Sequence, residues 1–380
     1  MWIYLWDLVD EGYETVLSFL RERAITSISL ACAYHAGKFL APHNPKRKVV
    51  FLEDGTVYFR PDASLFTTIQ PVMNSLVAHG DDYASVRRHA ERYGMEARAW
   101  VVCCHNSRIG AAHPSTACET AFGDTLVHNL CPNSTDVRAY LRGVLLSLAR
   151  QGARTIELEA LQFQGYSHGM HHEREGIPLP PLVRSLLGYC FCASCMRAAS
   201  RADVGLDALR VWVKHTLGEY FSDPVRFGAD GAALPSPPAE LIDPFTRWRA
   251  QVVASLAEEL ADAVASYDVK LRPMTSVDPA AQTLVGMDPR SVADKTGGVL
   301  ALGYMKDGEA LRPYLDALQR QLGPRALTLG LHVGMPESGG KKEFLSRVAA
   351  ARSLGIDSYN FYHYGFVPRG YIDWIPEAFA

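Results

Sequence analysis

The sequence predicts an α/β protein, a (β/α)8 TIM barrel with a long helical excursion after its fourth strand. Short apolar runs rich in β-branched and aromatic residues alternate with longer helical patterns, and this alternation occurs eight times. Most of the helical patterns end at a glycine, which favours a helix C-terminus. Eight such units are the number that a parallel barrel requires. A doubly wound parallel sheet is the rival fold.

The elements follow in a regular order apart from one long interval. The candidate strands are residues 2–7, 25–34, 97–104, 154–161, 269–274, 299–305, 326–333 and 358–364. Helices are predicted between them at 13–23, 82–94, 136–152, 309–322 and 341–355. The interval 162–268 holds a His-rich loop, a Gly/Ala/Pro-rich connector and helices at 180–188, 204–221 and 244–267. We therefore expect one barrel domain, 1–380, with 162–268 inserted in its fourth βα unit.

Composition and charge narrow the function classes. The 380 residues are 48% apolar and 21% charged with a formal net charge of −3, and the densest basic run, PKRKVV at 45–50, is too short for a nucleic-acid-binding surface. No apolar run approaches the roughly 18 residues of a membrane span, and no signal peptide opens the sequence. We expect a cytoplasmic protein that binds neither nucleic acid nor membranes. No GxGxxG or GxxxxGK[ST] motif follows a predicted strand, so a nucleotide cofactor is not expected.

Polar side chains gather where the predicted strands end, which is where a barrel places its chemistry. In RTIELEAL, Glu157 and Glu159 alternate with apolar residues, so both should face the interior, with Glu159 nearer the mouth. Glu157 is expected to pair with a cation of strand five, Lys270 or Arg272, whereas Glu159 is the candidate for chemistry. The substrate-binding candidates at the same mouth are Asp7, Tyr34, His35, His105, Asn106, Arg108, Tyr304, His332 and His363.

These residue types suit a carbohydrate substrate. Aromatic rings stack on the C–H faces of a sugar, while carboxylates, amides and imidazoles bind its hydroxyl groups. Cleavage of a glycosidic bond needs a protonated carboxyl that gives a proton to the leaving oxygen and an ionised carboxylate opposite it. Burial can raise the pKa of Glu159 toward the first role. The sequence therefore predicts Glu159 as the general acid.

The loop QFQGYSHGMHHEREG leaves a second chemistry open. His168 and His172 stand at i, i+4 spacing with Glu173 beside them, and such a set could bind a catalytic divalent metal in a sugar isomerase or a metal-dependent hydrolase. A histidine-rich loop can equally contact a substrate, so His168, His171 and His172 are also substrate-binding candidates. A carbohydrate-binding barrel without catalysis is the third alternative.

Three of the eight cysteines lie within CFCASC as Cys190, Cys192 and Cys195. They cannot all pair with one another, but a tight turn can direct three thiolates at one soft tetrahedral ion such as zinc. The best fourth ligand is Cys131 in LCPNS, because the two loops leave adjacent strands at the same end; Cys118 is the alternative. Four cysteines would form a closed, structural zinc site.

Both cysteine segments resemble a known family. CPNSTDVRAYL at 131–141 and CFCASC at 190–195 resemble the family-42 glycoside hydrolases, the β-galactosidase barrels, in which the matching segments supply four cysteines to a structural zinc. Several other glycoside-hydrolase-like barrels look similar. The resemblance is strongest over residues 100–200. It implies a barrel that hydrolyses glycosides, often as a homo-oligomer, and a structural Zn²⁺ ion held by Cys131, Cys190, Cys192 and Cys195.

The resemblance also implies the positions of the two carboxylates. Family-42 enzymes are retaining, with an acid/base glutamate after an asparagine at the end of strand four and a nucleophilic glutamate at the end of strand seven. Glu159 matches the first position, although Leu158 precedes it. ALTLGLHV in strand seven contains no acid, and Glu337 is the first one after it. The alternative second carboxylates are Asp278, Asp307 and Glu173.

Overall fold

Eight parallel strands form the centre of the structure, a computed structural model that describes residues 1–167, 173–228 and 230–380. Each strand pairs in parallel with the next one along the chain. Every predicted strand segment overlaps one of them, so the predicted alternation of strands and helices is confirmed as a mostly parallel sheet. The strands are β1 (Trp2–Ile3), β2 (Ser27–Tyr34), β3 (Glu96–Val102), β4 (Thr155–Glu159), β5 (Lys270–Ser276), β6 (Gly298–Leu302), β7 (Ala326–His332) and β8 (Tyr359–Tyr362).

Helices fill most of the chain between these strands. They cover the sheet, and every residue of β2 is buried, as expected for a parallel strand with both faces covered. The helices are Leu5–Glu11, Tyr13–Glu22, Ser75–Ala78, Tyr83–Arg92, Ser107–Ala112, Thr135–Arg150, Pro181–Leu187, Ala193–Arg201, Leu206–Ser222, Ala239–Val264, Pro279–Val285, Pro289–Thr296, Gly308–Leu322, Lys341–Ser353, Arg369–Ile372 and Trp374–Phe379. Within the described ranges, none of them has both the length and the apolar composition to cross a bilayer.

The first predicted strand is much shorter than expected. β1 ends at Ile3, and a helix begins at Leu5, so the prediction of a strand over 2–7 was wrong beyond Ile3. Tyr4 is extended, and its backbone N–H donates to the carboxylate of Asp7, three residues into the helix, at 3.0 Å. This cap satisfies a backbone donor at the helix start, which an apolar run in the sequence does not reveal.

Short strands extend the sheet and the loops at its ends. Thr56–Val57 pairs antiparallel with the end of β2 and parallel with Val72–Met73. After β3, the hairpin of Ala117–Glu119 and Thr125–Leu130 packs beside the helix Ser107–Ala112. A further hairpin joins Lys38–Leu40 to Val49–Phe51.

The described part of the long interval between β4 and β5 contains four α-helices: Pro181–Leu187, Ala193–Arg201, Leu206–Ser222 and Ala239–Val264. Three of them were predicted, although the last begins before the expected residue 244 and therefore contains Pro244 in its interior. The helix Ala193–Arg201 was not predicted, because its sequence follows directly on the cysteine motif.

Side chains connect the first and last strands of the sheet. The rings of Trp2 in β1 and Tyr362 in β8 lie 5.9 Å apart, and Asn360 of β8 donates a hydrogen bond to Ser29 of β2 at 2.8 Å. Among the described residues, no backbone pairing joins β1 to β8. The two ends of the parallel sheet thus meet through side chains.

Two glycines in helices provide a matched test of the packing. A Cβ at Gly110 would overlap the carbonyl oxygen of Val127, whereas a Cβ at Gly218 would meet no atom within 4 Å. We expect Gly110→Ala to lower the free energy of unfolding by about 1–3 kcal/mol through overpacking. Gly218→Ala should raise it by about 0.5–1 kcal/mol, because alanine loses less backbone entropy in a helix. Urea unfolding measures both, and equal shifts of the same sign would contradict this docking of the helix.

Candidate active site and thiol cluster

Glu159, the last residue of β4, lies between two adjoining cavities. One has a volume of about 290 Å³ and an aromatic lining, and we call it the aromatic cavity. The other has a volume of about 220 Å³ and is rich in amide side chains, and we call it the amide cavity. Met274 and Leu302 are the other residues that line both. A carboxyl group at this boundary can act on a bond that joins the contents of the two cavities.

Every strand of the parallel sheet contributes one residue to the aromatic cavity. In the order β1 to β8 these residues are Trp2, Tyr34, Trp100, Glu159, Met274, Leu302, His332 and Tyr362. Tyr304, Met335 and Glu337 complete the lining from the loops after β6 and β7. All eight strands of the parallel sheet therefore line this cavity.

The carboxyl group of Glu159 accepts a hydrogen bond and is partly shielded from water. The indole N–H of Trp100 donates to its Oε2 at 2.6 Å. Burial raises the pKa of Glu159 to about 7; the Trp100 bond acts against this shift, and the charge of Glu157 adds to it. A substantial fraction of Glu159 is therefore protonated near neutral pH, as a general acid requires.

Glu157 lies deeper and is surrounded by donors. Its carboxylate accepts hydrogen bonds from Trp2 Nε1 at 2.9 Å, from Ser29 Oγ at 2.9 Å and from Asn360 Nδ2 at 3.0 Å. The guanidinium of Arg98 lies 3.8 Å away. Burial raises the pKa of Glu157, and Arg98 is the strongest of the groups that lower it. Its bonds make Glu157 a structural residue that joins strands.

The cation within ion-pair distance of Glu157 is Arg98 on β3, which was not one of the two expected. Of those two, Lys270 is exposed, whereas Arg272 is in register with Glu157 and attracts it at longer range, while its Nη1 donates to the carbonyl of Leu271 at 2.8 Å. Both β3 and β5 pair with β4, and period-two alternation cannot distinguish between them.

His332, Tyr304 and Glu337 form one wall of the aromatic cavity. The Tyr304 ring stacks on the His332 imidazole with 3.6 Å between centroids, and His332 Nδ1 lies 2.5 Å from the Ser338 hydroxyl. Burial, with a smaller effect from Arg347, lowers the pKa of His332 to about 4, so the ring is neutral at pH 7. Glu337 Oε1 is 3.6 Å from His332 Nδ1. Of the predicted second carboxylates, Glu337 shares the cavity with Glu159.

Other predicted residues hold the framework near the site. Asn106 and Asp307 are helix N-caps, accepting from the backbone N–H groups of Ile109 and Ala310 at 2.9 Å each. Arg108 Nε donates to the carbonyl of Asp54 at 2.5 Å. In the described part of the chain, none of the three lines either cavity.

A stack of rings reaches from the aromatic cavity to the amide cavity. Tyr34, which lines the first, stacks on His35 at 4.4 Å, and His35 stacks on His105 at 4.0 Å. His105 lines the amide cavity. The structure thus brings these three predicted residues together near Glu159.

The remaining predictions fall elsewhere. His363 is fully buried between the rings of Tyr4 and Phe366, each 4.4 Å away, and its Nδ1 accepts from the backbone N–H of Gly365 at 3.0 Å. Glu173 is exposed and lines neither cavity as the structure describes them. The proposed ligands or substrate contacts His168, His171 and His172 lie outside the described residues.

Sequence reasoning missed Trp100 and the amide cavity. Trp100 stands in the middle of β3, and the alternation Arg98, Trp100, Val102 was the signal that could have placed it inside. The amide lining comes mainly from Gln162, Gln164 and Gln282, residue types that are ordinarily found at the surface.

The four predicted cysteines lie together. Cys131, Cys190, Cys192 and Cys195 are buried, and their sulfur atoms all lie within 4.8 Å of one another. Cys131 Sγ is 3.4 Å from Cys195 Sγ and 4.0 Å from Cys190 Sγ. A tetrahedral ion with metal–sulfur bonds of about 2.3 Å holds its sulfurs about 3.8 Å apart, so these separations fit such an ion and exceed the disulfide bond length of about 2.05 Å.

Backbone contacts bring the cysteines together. The N–H of Phe191 donates to Glu119 O and that of Cys131 to Thr116 O, each at 2.8 Å, so the CFCASC segment lies along the hairpin after β3. Cys192 caps the helix Ala193–Arg201, and Cys195 lies in its first turn. The predicted tight turn is thus a helix start.

Asp7 provides a test of how burial changes the pKa of a carboxyl group. Its side chain is 1% exposed, its Oδ1 accepts no hydrogen bond from the described residues, and burial raises its pKa to about 8. The folded protein therefore binds this proton more tightly than the unfolded chain. The contribution of Asp7 to the free energy of unfolding falls as pH rises from about 4 to 8, with a slope of up to about 1.4 kcal/mol per pH unit. Asp7→Asn keeps the acceptor for Tyr4 and should remove this slope.

Thermal unfolding of both proteins from pH 5 to pH 9 measures the effect. We expect the stability of Asp7→Asn relative to the natural chain to increase with pH. A difference that stays constant over this range would contradict a neutral buried Asp7.

Comparison with solved structures finds glycoside hydrolases at low sequence identity. The glycoside hydrolase domain of PgaB (BpsB) from Bordetella bronchiseptica aligns over 100% of this chain and 96% of that one, with a TM-score of 0.61 and 14% identity. A β-galactosidase from the psychrophilic Marinomonas ef1 aligns over 100% and 58%, with a TM-score of 0.59 and 9% identity. A β-galactosidase from Rahnella sp. R3 aligns over 99% and 54%, with a TM-score of 0.57 and 11% identity. The chain thus spans just over half the length of these two β-galactosidases.

Comparisons of sequence give no assignment. No model of a known protein family matches the chain. No curated protein matches it either. Identities of 9–14% establish a likeness of fold and leave activity to be tested. The chain has a mostly parallel α/β fold like that of these glycoside hydrolases.

Proposed function

We propose that the protein is a glycoside hydrolase that acts on a small glycoside or an oligosaccharide. The observation that carries the proposal is the position of Glu159, a partly exposed carboxyl whose pKa is raised to about 7 by desolvation, in the wall of a cavity that Glu337 also lines. One protonated and one ionised carboxyl group facing the same substrate are the components of glycosidic bond cleavage. The fold shared with glycoside hydrolases is consistent with this role.

The proposal includes closure of the eight strands into a (β/α)8 barrel. The strands are parallel and follow one another in sequence order, and each supplies one side chain to the aromatic cavity. Asn360 of the last strand also reaches Ser29 of β2 and Glu157 of β4. In a barrel, such inward-facing residues form layers across the interior, with the active site at the carboxyl ends of the strands.

In the mechanism that we propose, a sugar ring occupies the aromatic cavity and the leaving group occupies the amide cavity. The rings of Trp2, Tyr304 and Tyr362 offer stacking surfaces for the C–H groups of a sugar. The hydrogen bond from Trp100 orients Glu159, whose proton passes to the glycosidic oxygen as the bond breaks. Gln282 and its neighbours receive the departing hydroxyl compound.

Glu337 is the proposed second carboxylate. It is the first acid after β7, whereas the family-42 nucleophile ends strand seven, and it lines the aromatic cavity together with Glu159. It acts either as nucleophile or as the base that activates water, and these roles correspond to carboxyl separations of about 5–5.5 Å and about 6.5–9.5 Å. NMR of the first-formed sugar anomer distinguishes retention from inversion.

Replacing Glu159 tests the general acid. We expect Glu159→Gln to lower kcat/KM by about 10²–10⁴-fold, because the amide cannot give a proton to the leaving oxygen. The loss should be larger for alkyl glycosides than for nitrophenyl glycosides, whose leaving group needs less protonation. Equal activity of the variant and the natural chain would contradict the role of Glu159. Sugars that shift the melting temperature of the natural chain without any hydrolysis would indicate a binding protein.

Trp100→Phe tests whether the indole hydrogen bond sets the pKa of Glu159. The indole hydrogen bond stabilises the ionised form of Glu159, so its loss should raise the pKa of Glu159 and move the fall in kcat/KM, expected near pH 7, about one unit higher. Trp374→Phe is the control, because that tryptophan lies in the helix Trp374–Phe379 and lines neither described cavity. A shift to lower pH, or the same shift in both variants, would refute the assignment.

We also propose that the thiol cluster holds a structural zinc ion. All four of its donors are cysteines, and the sulfur separations suit a tetrahedral ion. Such an ion would fix the hairpin after β3 to the segment that enters the helix Ala193–Arg201, and both segments follow strands that line the active-site cavities.

Metal analysis of two cysteine variants tests the zinc site. We expect the purified chain to carry one zinc ion, and Cys195→Ala to lose most of it and to melt at a lower temperature. Cys32→Ala is the control, because Cys32 is equally buried but lies in β2, away from the cluster. Elemental analysis that finds no zinc in the natural chain, or equal zinc in both variants, would contradict the site.

A further inference from the structure

Arg249 is a buried cation without a carboxylate partner in the described part of the chain. It lies on the helix Ala239–Val264 and is 3% exposed. Its Nη1 donates to the carbonyl of Leu284 at 3.1 Å, but its Nε and Nη2 have no hydrogen-bond acceptor among the described residues. A buried charge in this state is costly unless another group compensates it.

Three aromatic rings surround the guanidinium but carry no net charge. Its central carbon lies 4.7 Å from the ring centre of Phe163, 5.5 Å from that of Tyr189 and 5.4 Å from that of Phe245. Each contact of this kind stabilises a cation by about 0.5–2 kcal/mol. The rings fix the orientation of Arg249 and exclude water, and they leave the charge without a counter-ion.

The thiol cluster lies beside this cage. Tyr189 is adjacent in sequence to Cys190, and the cage therefore abuts the metal-ligand segment. Burial lowers the pKa of Arg249, while the Tyr189 hydroxyl and the thiols of Cys118, Cys190 and Cys195 act in the opposite direction. The cysteines are thus the groups near Arg249 that can become anionic when a metal binds.

Charge counting connects the two features. Four thiolates around a divalent ion leave a net charge of −2 in a buried site, which itself needs compensation. The guanidinium offsets part of the negative charge of the metal-bound cluster, and the cluster provides the counter-ion that the guanidinium lacks.

We infer that Arg249 is the counter-ion of a metal–tetrathiolate centre and a positioning residue that raises its affinity for the metal. The inference rests on the proposed zinc site. It predicts that Arg249 stabilises the metal-loaded form of the protein more than the metal-free form.

Substitutions of Arg249 test this coupling in the full chain. We expect Arg249→Met and Arg249→Gln to bind zinc about 10–100-fold more weakly in competition with a chromophoric chelator, and Arg249→Lys, which keeps the charge, to lose less. Arg249→Met should melt at a lower temperature than the natural chain when metal is bound. After metal removal the difference between the two melting temperatures should be smaller. Equal destabilisation of both forms would show that Arg249 only packs, and would overturn the inference.

A second buried arginine is the matched control. Arg347 is fully buried and is held by the carbonyl oxygens of Met305, Lys306, Ser338 and His332, without contact to the thiol cluster. Arg347→Met should lower stability without changing metal affinity.

Cobalt substitution separates failure of this inference from failure of the zinc site. The natural chain loaded with Co²⁺ should show thiolate-to-metal charge-transfer bands of a tetrahedral sulfur site. Absence of these bands would overturn the zinc site together with the counter-ion. Their presence, with unchanged metal affinity in Arg249→Met and Arg249→Gln, would overturn only the role of Arg249.

Discussion

The buried carboxylate of Glu157 is the constraint on which the centre of the molecule depends. A carboxyl group so far from water is tolerated only when polar groups surround it. Here hydrogen-bond donors come from β1, β2 and β8, and the guanidinium of Arg98 approaches from β3. These bonds fix the rotation of β4, and because side chains alternate along a strand, they also direct Glu159 toward the cavities. A structural acid in one layer thus positions the candidate catalytic acid in the next.

The thiol cluster constrains the same region from outside the sheet. It joins the loop after β3 to the segment after β4, which are the strands that carry Trp100 and Glu159. The hydrogen bond between these two side chains needs both strand ends in register. Strand pairing supplies part of that order, and the contacts between the two loops supply the rest.

The sequence determines the strands and the inward face of β4 more clearly than it determines lateral neighbours. Period-two alternation in TIELE is a local property, so the direction of Glu159 could be predicted from it. The strand register places Arg272 of β5 beside Glu157, yet the guanidinium within 3.8 Å of its carboxylate belongs to Arg98, two residues before the β3 residue that is in register with Glu157. The residue spacing within the β4 segment alone does not reveal which cation of a neighbouring strand comes closest to Glu157.

Local caps and distant contacts explain the other differences. The early helix at Leu5 depends on the hydrogen bond from the Tyr4 N–H to Asp7. The helix Ala193–Arg201 follows Cys192, which the sequence predicts to lie in a tight turn around a metal. The cysteine set was found from sequence because soft ligands at short spacing are a strong chemical signal. Glu337 was harder to select than Glu159, because it lies in a loop after β7 whose path no periodicity describes.

The unequal construction of the two cavities bears on how such a protein can change. The aromatic cavity draws on all eight strands, so a substitution there disturbs the whole sheet. Much of the amide cavity comes from β5 and the short helix Pro279–Val285 that follows it. Natural variation in that single segment can therefore alter the chemistry next to Glu159 while the aromatic cavity on its other side stays largely unchanged.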